Sequence, residues 1–159
     1  MKNLISRKSA GKFFEKINGK KVFTNGCFDI LHVGHVRYLK KAREMGDCLI
    51  IGLNSDSSVR RIKGDKRPIV PEDERAEMLL SLEYVDYVVF FEEETPYLLI
   101  KDIKPDILVK GGDWDVKDIV GSDLVKKAGG TVKNISYIDG KSTTNIINKI
   151  LENYKKGGK

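Results

Sequence analysis

Two histidines three residues apart, His32 and His35, are the only histidines in the chain, and they follow a glycine-bearing turn. On a helix that begins near Leu31, this spacing projects both imidazoles from the same side of the first turn. Imidazoles at the positive end of a helix dipole can donate to phosphate oxygens and spread the charge that develops during phosphoryl transfer. Gly34 between them leaves room for a ligand to approach the backbone closely. The pattern therefore indicates chemistry on a phosphate, and the alternative is two partly solvated histidines at a helix start.

A strand before the turn and a helix after it would position these histidines. Residues 21–24 predict a short strand, and residues 36–45 predict a helix with apolar side chains on one face and basic side chains on the other. A His-x-Gly-His match alone is weak evidence of function. At a strand–turn–helix junction, directly behind a Gly-x-Phe-Asp turn, it becomes strong evidence of a phosphate site.

Strands and helices alternate over the rest of the chain. Residues 48–53 form a near-continuous apolar run, which is typical of a strand buried on both faces of a parallel sheet. We therefore predict an α/β fold with a doubly wound parallel sheet, whose ligands lie at the carboxyl ends of the strands. Five strands are predicted, at residues 21–24, 48–53, 85–91, 107–109 and 131–138. Turns rich in glycine or charge follow three of them, at residues 26–35, 54–56 and 110–114, which indicates one site at that edge.

The length and composition indicate one globular domain. The 159 residues include 40% apolar and 33% charged residues and no low-complexity tract, as in ordinary folded domains. We predict a main domain at residues 20–154, an N-terminal helical extension at residues 1–19 and a basic tail at residues 155–159. Phe13 and Phe14 are expected to be exposed on the extension, which suggests a homodimer.

Charge and cysteine content limit the expected partners and compartment. The net charge is +6, but basic and acidic residues are interleaved, so we expect small phosphorylated substrates and no nucleic acid partner. The chain has no apolar run that could cross a membrane and no apolar signal segment near its start, so we expect no membrane partner and a cytoplasmic location. Cys27 and Cys48 give no disulfide framework and fit a reducing compartment.

Phosphoryl transfer requires several cations, because the attacking and departing groups are both anionic. Lys63 lies in a glycine-containing loop that could close over phosphates, and Arg67 and Arg75 lie on the segment that follows. A divalent cation, Mg²⁺, would bridge the phosphates of the substrate. The sequence shows no cluster of residues that would hold a metal by itself.

Three further features have both a binding and a structural interpretation. Ser142–Thr144 at a helix start could hold phosphate oxygens through hydroxyl and N–H groups, or could simply cap the helix. Asp29 could position a substrate hydroxyl or a metal-bound water, or could hold backbone N–H groups of its turn. Asp113 and Trp114 could form a lid over the base or sugar, and a core position is the alternative for Trp114.

The residues Gly26-Cys27-Phe28-Asp29 and His32-Val33-Gly34-His35 together resemble the signature of the cytidylyltransferase-like nucleotidyltransferases. The resemblance implies a Rossmann-like fold, a nucleoside triphosphate substrate, and transfer of a nucleoside monophosphate with release of pyrophosphate. Longer stretches are similar to the heptose-1-phosphate adenylyltransferases of bacterial surface-polysaccharide synthesis, at residues 23–39, 52–64, 66–69, 109–113 and 142–147.

This narrower resemblance implies a reaction and its partners. An enzyme of this family transfers AMP from ATP to D-glycero-D-manno-heptose 1-phosphate and releases pyrophosphate, giving ADP-heptose for lipopolysaccharide precursors. It implies Mg²⁺ as the cofactor that accompanies ATP. A separate heptose kinase chain is the expected functional partner, because no kinase precedes or follows the motifs in this sequence.

The residues and the resemblance together assign three groups of site residues. The predicted catalytic residues are His32, His35 and Lys63. The predicted nucleotide-binding residues are Asn25, Gly26, Cys27, Phe28, Gly34, Gly111, Asp113, Ser142, Thr143 and Thr144. The predicted residues for the phosphate and sugar of the acceptor are Asp29, Asn54, Asp56, Lys63, Arg67, Arg75, Lys110 and Trp114.

Other functions remain as alternatives. A cytidylyltransferase of the glycerol-3-phosphate type or an FAD synthetase would use the same motifs with a different nucleotide or acceptor. Cytidylyl enzymes carry an Arg-Thr pair before the Ser-Thr run, whereas residues 137–141 contain no arginine, which argues against CTP. A zinc hydrolase could use Cys27, His32 and His35, although a fourth ligand is missing. A non-catalytic nucleotide- or RNA-binding module is the third alternative.

Overall fold

A six-stranded parallel sheet forms the centre of the protein. The computed structural model describes residues 3–112, 114–136 and 142–155. The sheet order is β1-β4-β3-β2-β5-β6, and every neighbouring pair is parallel. The strands are β1 (Leu4–Ile5), β2 (Lys21–Gly26), β3 (Cys48–Asn54), β4 (Tyr87–Phe91), β5 (Ile107–Gly111) and β6 (Thr131–Ile135). This confirms the predicted doubly wound α/β fold.

The sheet has one strand more than the five predicted. The additional strand is β1, in which Leu4 and Ile5 pair with Val88 and Val89 of β4 at the edge of the sheet. Two residues are too few to show the alternating pattern by which a strand is predicted from sequence.

Helices cover both faces of the sheet. They are α1 (Ala10–Phe14), α2 (Val33–Arg43), α3 (Asp56–Lys63), α4 (Glu72–Leu80), α5 (Tyr97–Ile103), α6 (Ser122–Lys127) and α7 (Thr143–Lys155), with a 3₁₀ turn at Val116–Asp118. Among the described residues, none of these helices is long and apolar enough to cross a bilayer.

Alternate residues of the strands pack into two apolar layers on opposite faces of the sheet. In β3, for example, Ile50 packs into the first layer, and Leu49 and Ile51 pack into the second. Helices α1, α5 and α6 cover the first layer, and α2 and α4 cover the second. All residues of β3 are buried, as predicted for a strand covered on both faces.

Part of the N-terminal segment packs into this core, so the expectation that Phe13 and Phe14 are exposed was wrong. Phe14 is wholly buried in the first layer, and its ring meets Tyr87 edge-on with 5.5 Å between centroids. Phe13 is partly buried against the same layer. The two phenylalanines therefore do not form the exposed apolar pair on which the homodimer was predicted, and the homodimer stays a prediction without that support.

Candidate active site

The two histidines lie side by side at the start of α2. The helix begins at Val33, so His32 occupies the N-cap position in extended conformation rather than the first helical turn. The His32 and His35 rings are stacked, with 3.8 Å between centroids and 22° between ring planes. Phe28 packs edge-on against His35, and its backbone adopts the left-handed conformation with φ of 46°. Such strain in a non-glycine residue is characteristic of functional sites.

The imidazole of His35 is neutral in the protein without ligand. Burial, and secondarily the neighbouring His32, lower the pKa of His35 from 6.5 to about 4. Its Nδ1 is buried without a hydrogen-bond partner among the described residues. An anion bound beside this ring would favour its protonated form and so raise its pKa.

The low pKa of His35 predicts that acid destabilises the protein before its carboxylates titrate. Between pH 6.5 and 4 the unfolded chain binds a proton that folded His35 does not bind, so stability falls as the pH falls. From pH 7 to pH 5 the loss should be about 2 kcal/mol. Urea unfolding at pH 7 and pH 5 measures this loss of unfolding free energy. In His35→Gln the loss between the two pH values should be smaller by about 2 kcal/mol, because glutamine does not titrate. An identical pH dependence in both proteins would contradict this origin.

Asp29 holds the segment that follows the Lys63 loop. Its carboxylate is nearly inaccessible and accepts hydrogen bonds from the backbone N–H of Ile69 at 2.8 Å and of Val70 at 2.9 Å. It also pairs with Nε of Arg67. The structure therefore favours the structural alternative for Asp29, in which it holds backbone N–H groups and keeps Arg67 at the cleft.

Arg75, predicted to bind phosphate, does not line the cleft; it is a buried residue that hydrogen-bonds the segments around the cleft. Its side chain is completely buried. Guanidinium groups are rarely buried unless they have partners, and Arg75 has four. It donates to the carbonyl oxygens of Val70 (2.9 Å), Cys27 (2.6 Å) and Asn54 (2.9 Å), and to Oδ1 of Asp56 (2.7 Å). Arg75 thus joins the ends of β2 and β3 to α3 and α4, and neither Arg75 nor Asp56 lines the cleft.

A cleft of about 760 Å³ opens at the carboxyl ends of the strands, a volume typical of small-molecule sites. Apart from Asp56 and Arg75, every predicted site residue in the described part of the chain lines it. Asp113 lies outside the described residues. The lining members of the predicted set are Asn25, Gly26, Cys27, Phe28, Asp29, His32, Gly34, His35, Asn54, Lys63, Arg67, Lys110, Gly111, Trp114, Ser142, Thr143 and Thr144.

Lys110 lies within this cleft in a partly desolvated position. Burial lowers the pKa of its ammonium group, and nearby Lys63 lowers it further. Its Nζ lies 3.4 Å from Oδ1 of Asn25. Two like charges held near each other in a cleft favour an anionic ligand between them.

The start of α7 lies beside the histidine turn. Oγ1 of Thr143 donates to the carbonyl oxygen of Ile30 at 3.2 Å, which joins the helix to the turn before His32. The backbone N–H of Asn145 donates to Oγ of Ser142 at 3.0 Å, the bond expected of a helix cap. Both predicted phosphate features therefore line one cleft, and Ser142 also serves as a cap.

Several residues lining the cleft were not predicted. Glu94, Thr95 and Pro96 follow β4, and the 3₁₀ turn after β5 ends at Asp118, which is followed by Ile119 and Val120. The rule that ligands lie at the carboxyl ends of parallel strands points to the first group as well, because β4 belongs to the same sheet. The second group lies too far along the chain from β5 for that rule to find it.

The described residues give the zinc-hydrolase alternative no ligand set. Burial raises the pKa of the Cys27 thiol, despite the nearby Lys63, Arg75 and Arg67, so the metal-binding thiolate is disfavoured. Within the described ranges, no three His, Cys, Asp or Glu side chains are grouped so that they could hold a metal ion.

Comparison with known proteins gives one family and several relatives. Residues 23–149 match the sequence model of the family described as cytidylyltransferase-like. The Bifunctional protein HldE of Pelobacter propionicus is 60% identical over 141 residues, and that of Aliarcobacter butzleri is 63% identical over 138 residues. These matches cover 88% and 86% of this chain but 29% and 28% of those proteins, so the chain spans less than a third of their length.

Two solved structures are similar to this chain in fold. The lipopolysaccharide core biosynthesis protein from Thermoplasma volcanium is 30% identical with a TM-score of 0.60, over 78% of this chain and 100% of that one. The pantoate-beta-alanine ligase of Francisella tularensis has a TM-score of 0.61 over 94% of this chain and 78% of that one. At 15% identity, the latter likeness concerns the fold alone.

Proposed function

This chain belongs to the cytidylyltransferase-like family, and we propose that it is an adenylyltransferase that transfers AMP from ATP to D-glycero-D-manno-heptose 1-phosphate. The observation that carries the proposal is the stacked pair His32 and His35 at the start of α2, in a cleft that also contains Lys63, Arg67 and Lys110. The Thermoplasma volcanium relative is named for lipopolysaccharide core biosynthesis, which supports an acceptor used in surface-polysaccharide synthesis.

In this reaction a phosphate oxygen of the acceptor attacks the α-phosphorus of ATP. The bond between the α-phosphorus and its bridging oxygen breaks, and pyrophosphate leaves with the electron pair. The acceptor phosphate is already an anion, so no strong general base is needed. The protein must instead hold anions together in line and stabilise the charge on the transferring and departing groups. One cation in contact stabilises such charge by about 1 kcal/mol in water and by several times more in a drier site.

The residues of the cleft fit these requirements. His32 and His35 donate to the phosphates of the nucleotide from the positive end of α2. Lys63 is the last residue of α3 and precedes Gly64, whose φ of 90° ends the helix there. Since Lys63 and Arg67 line the same cleft as the histidines, we assign them to the acceptor phosphate.

Mg²⁺ fits this site as a companion of the nucleotide. The Asp29 carboxylate in this part of the cleft is already bound by Arg67 and by two backbone N–H groups. The other polar side chains that line the cleft on the histidine side carry imidazole, ammonium, amide, hydroxyl and thiol groups, which do not compete with phosphate oxygens for a hard cation. Phosphate oxygens would therefore hold the ion, which would neutralise charge on the departing pyrophosphate. Our proposal also includes a kinase that makes the heptose 1-phosphate, since the matched relatives are named bifunctional and extend far beyond this chain.

Pyrophosphate release tests the proposal. We expect release with ATP and heptose 1-phosphate in the presence of Mg²⁺, and little release with CTP, GTP or UTP. The acceptor panel should contain both anomers of heptose 1-phosphate, glycerol 3-phosphate and flavin mononucleotide. His35→Ala serves as the inactive control. Release with CTP, or with ATP and flavin mononucleotide, would assign the protein to another branch of the family, and no release with any pair would contradict the catalytic role.

A further inference from the structure

We infer that one wall of the cleft selects the neutral, hydroxyl-rich part of the acceptor through Glu94 and Asp118, and excludes acceptors that carry negative charge there. This inference rests on the proposed function and specifies how the acceptor is chosen. The acceptor wall consists of Ile62, Glu94, Thr95, Trp114, Asp118 and Val120, all of which line the cleft.

The two connections that carry most of the acceptor wall lead into helices on one face of the sheet, and the histidines begin a helix on the other face. Residues 92–96 lead into α5, and residues 114–121 lead into α6, and both helices cover the first apolar layer. The Tyr97 hydroxyl donates to Oδ2 of Asp123 at 2.9 Å, which holds the starts of α5 and α6 together. The histidines lie at the start of α2, which covers the second layer. A ligand pair in the cleft therefore contacts chemically different groups on its two sides.

The charges of the two sides decide the orientation of the substrates. Imidazoles, Lys63, Arg67 and Lys110 attract phosphates, whereas Glu94 and Asp118 repel them. Neither carboxylate has a hydrogen bond or an ion pair with another described side chain, so both can accept hydrogen bonds from a ligand. Carboxylates accept from hydroxyl groups, and such charged bonds are stronger than neutral ones. The acceptor wall therefore suits the hydroxyl groups of a sugar.

Contacts between segments place this sugar on the acceptor rather than on the nucleotide. Ile62 of the acceptor wall directly precedes Lys63, to which the acceptor phosphate is assigned. Oγ of Ser58 donates to the carbonyl oxygen of Glu93 at 3.4 Å, and Arg61 donates to that of Glu92. Helix α3 and the segment that carries Glu94 are thus joined, so Lys63 and Glu94 can hold two ends of one molecule.

Apolar side chains complete the acceptor wall. Trp114, Ile62 and Val120 are 53%, 46% and 40% exposed, which is unusual for large apolar groups that line a cavity. A sugar presents C–H groups on its ring faces and hydroxyl groups at its edges, so it can cover the indole while its edges reach the carboxylates. A ligand with a second phosphate at this end would meet both carboxylates, and none of the described residues of the acceptor wall is a cation.

Steady-state kinetics of Glu94→Gln, Asp118→Asn and the double variant test this inference. The KM for heptose 1-phosphate should rise roughly tenfold in each single variant, while kcat and the KM for ATP stay within about twofold of wild type. Wild type should use a heptose carrying a second phosphate at C7 poorly, and the double variant should reduce that discrimination by roughly tenfold. Glu92→Gln, on the same segment but outside the cleft, is the matched control and should behave as wild type.

Each other outcome has a distinct meaning. Variants with an unchanged KM for heptose 1-phosphate and unchanged discrimination would overturn the inference while leaving the proposed function intact. A rise in the KM for ATP alone would overturn it as well, because the carboxylates would then bind the ribose of the nucleotide. Calorimetric titration of heptose 1-phosphate into the protein, in the presence of a non-hydrolysable ATP analogue, measures binding independently of turnover. Absence of binding to wild type would overturn the proposed function, whereas equal binding by wild type and the double variant would overturn the inference alone.

Discussion

Replacement of His35 by alanine is expected to lower kcat roughly 100-fold or more, while the Kd for ATP changes less than about threefold. The ring lies against His32 at the start of α2, where it can stabilise charge that develops only as pyrophosphate departs. An interaction of this kind contributes about 3 kcal/mol to the transition state and little to the ground state. Single-turnover rates and nucleotide titrations measure the two quantities separately.

Two controls define the origin of this effect. His35→Asn keeps a hydrogen-bond donor without an imidazole, and it should recover part of the loss if donation is what matters. Lys66→Ala removes an exposed charge from the loop after Lys63 and should leave kcat within about twofold of wild type. Parallel losses of ATP binding and turnover in His35→Ala would show that His35 binds the ground state equally well, contrary to this prediction.

Replacement of Arg75 by methionine is expected to destabilise the protein by about 3 to 5 kcal/mol, because it leaves buried acceptors without a partner. Three carbonyl oxygens and the Asp56 carboxylate would lose their donor at once. The melting temperature should fall by roughly 10 °C, and activity should fall because the ends of β2 and β3 carry the cleft. Thermal unfolding followed by circular dichroism measures the first effect.

A direct role of Arg75 in phosphate binding predicts a different result. Arg75→Met would then keep its melting temperature and show a raised KM for a substrate. Arg75→Lys distinguishes the two further, since a lysine retains the charge but cannot reach all four acceptors. Arg60→Ala, on the exposed side of α3, is the matched control and should change stability by less than about 0.5 kcal/mol.

The sequence was most informative where local pattern determines structure. The apolar run of β3 predicts a doubly buried strand, and the strand–turn–helix junction at residues 21–43 predicts where two histidines meet. Both of these predictions depend only on residues that are close in sequence. The position of Arg75 depends instead on carbonyl groups from three segments, two of them distant in sequence, and backbone acceptors leave no trace in the side-chain pattern. The sequence alone therefore does not distinguish an arginine that binds phosphate from one that donates hydrogen bonds to backbone carbonyl groups.

The same limit applies to the acceptor side of the cleft. Glu94 and Asp118 lie in irregular connections, where charged residues usually face solvent. Only the packing of α5 beside α6 reveals that both face one cavity. Phe14 is the opposite case: its apolar character was recognised, but its burial depends on Tyr87 of β4, which is distant in sequence.

The division of the cleft between opposite faces of the sheet separates two tasks in the chain. The turn and helix to which we assign the triphosphate occupy one part of the sequence and one face, and the connections around Glu94 and Asp118 occupy others. Substitutions in these two surface connections can therefore change which molecule receives the nucleotide without disturbing the groups that activate it. Such a layout lets a lineage diversify its products after gene duplication while it keeps one catalytic apparatus, and it gives protein engineers two short segments to randomise.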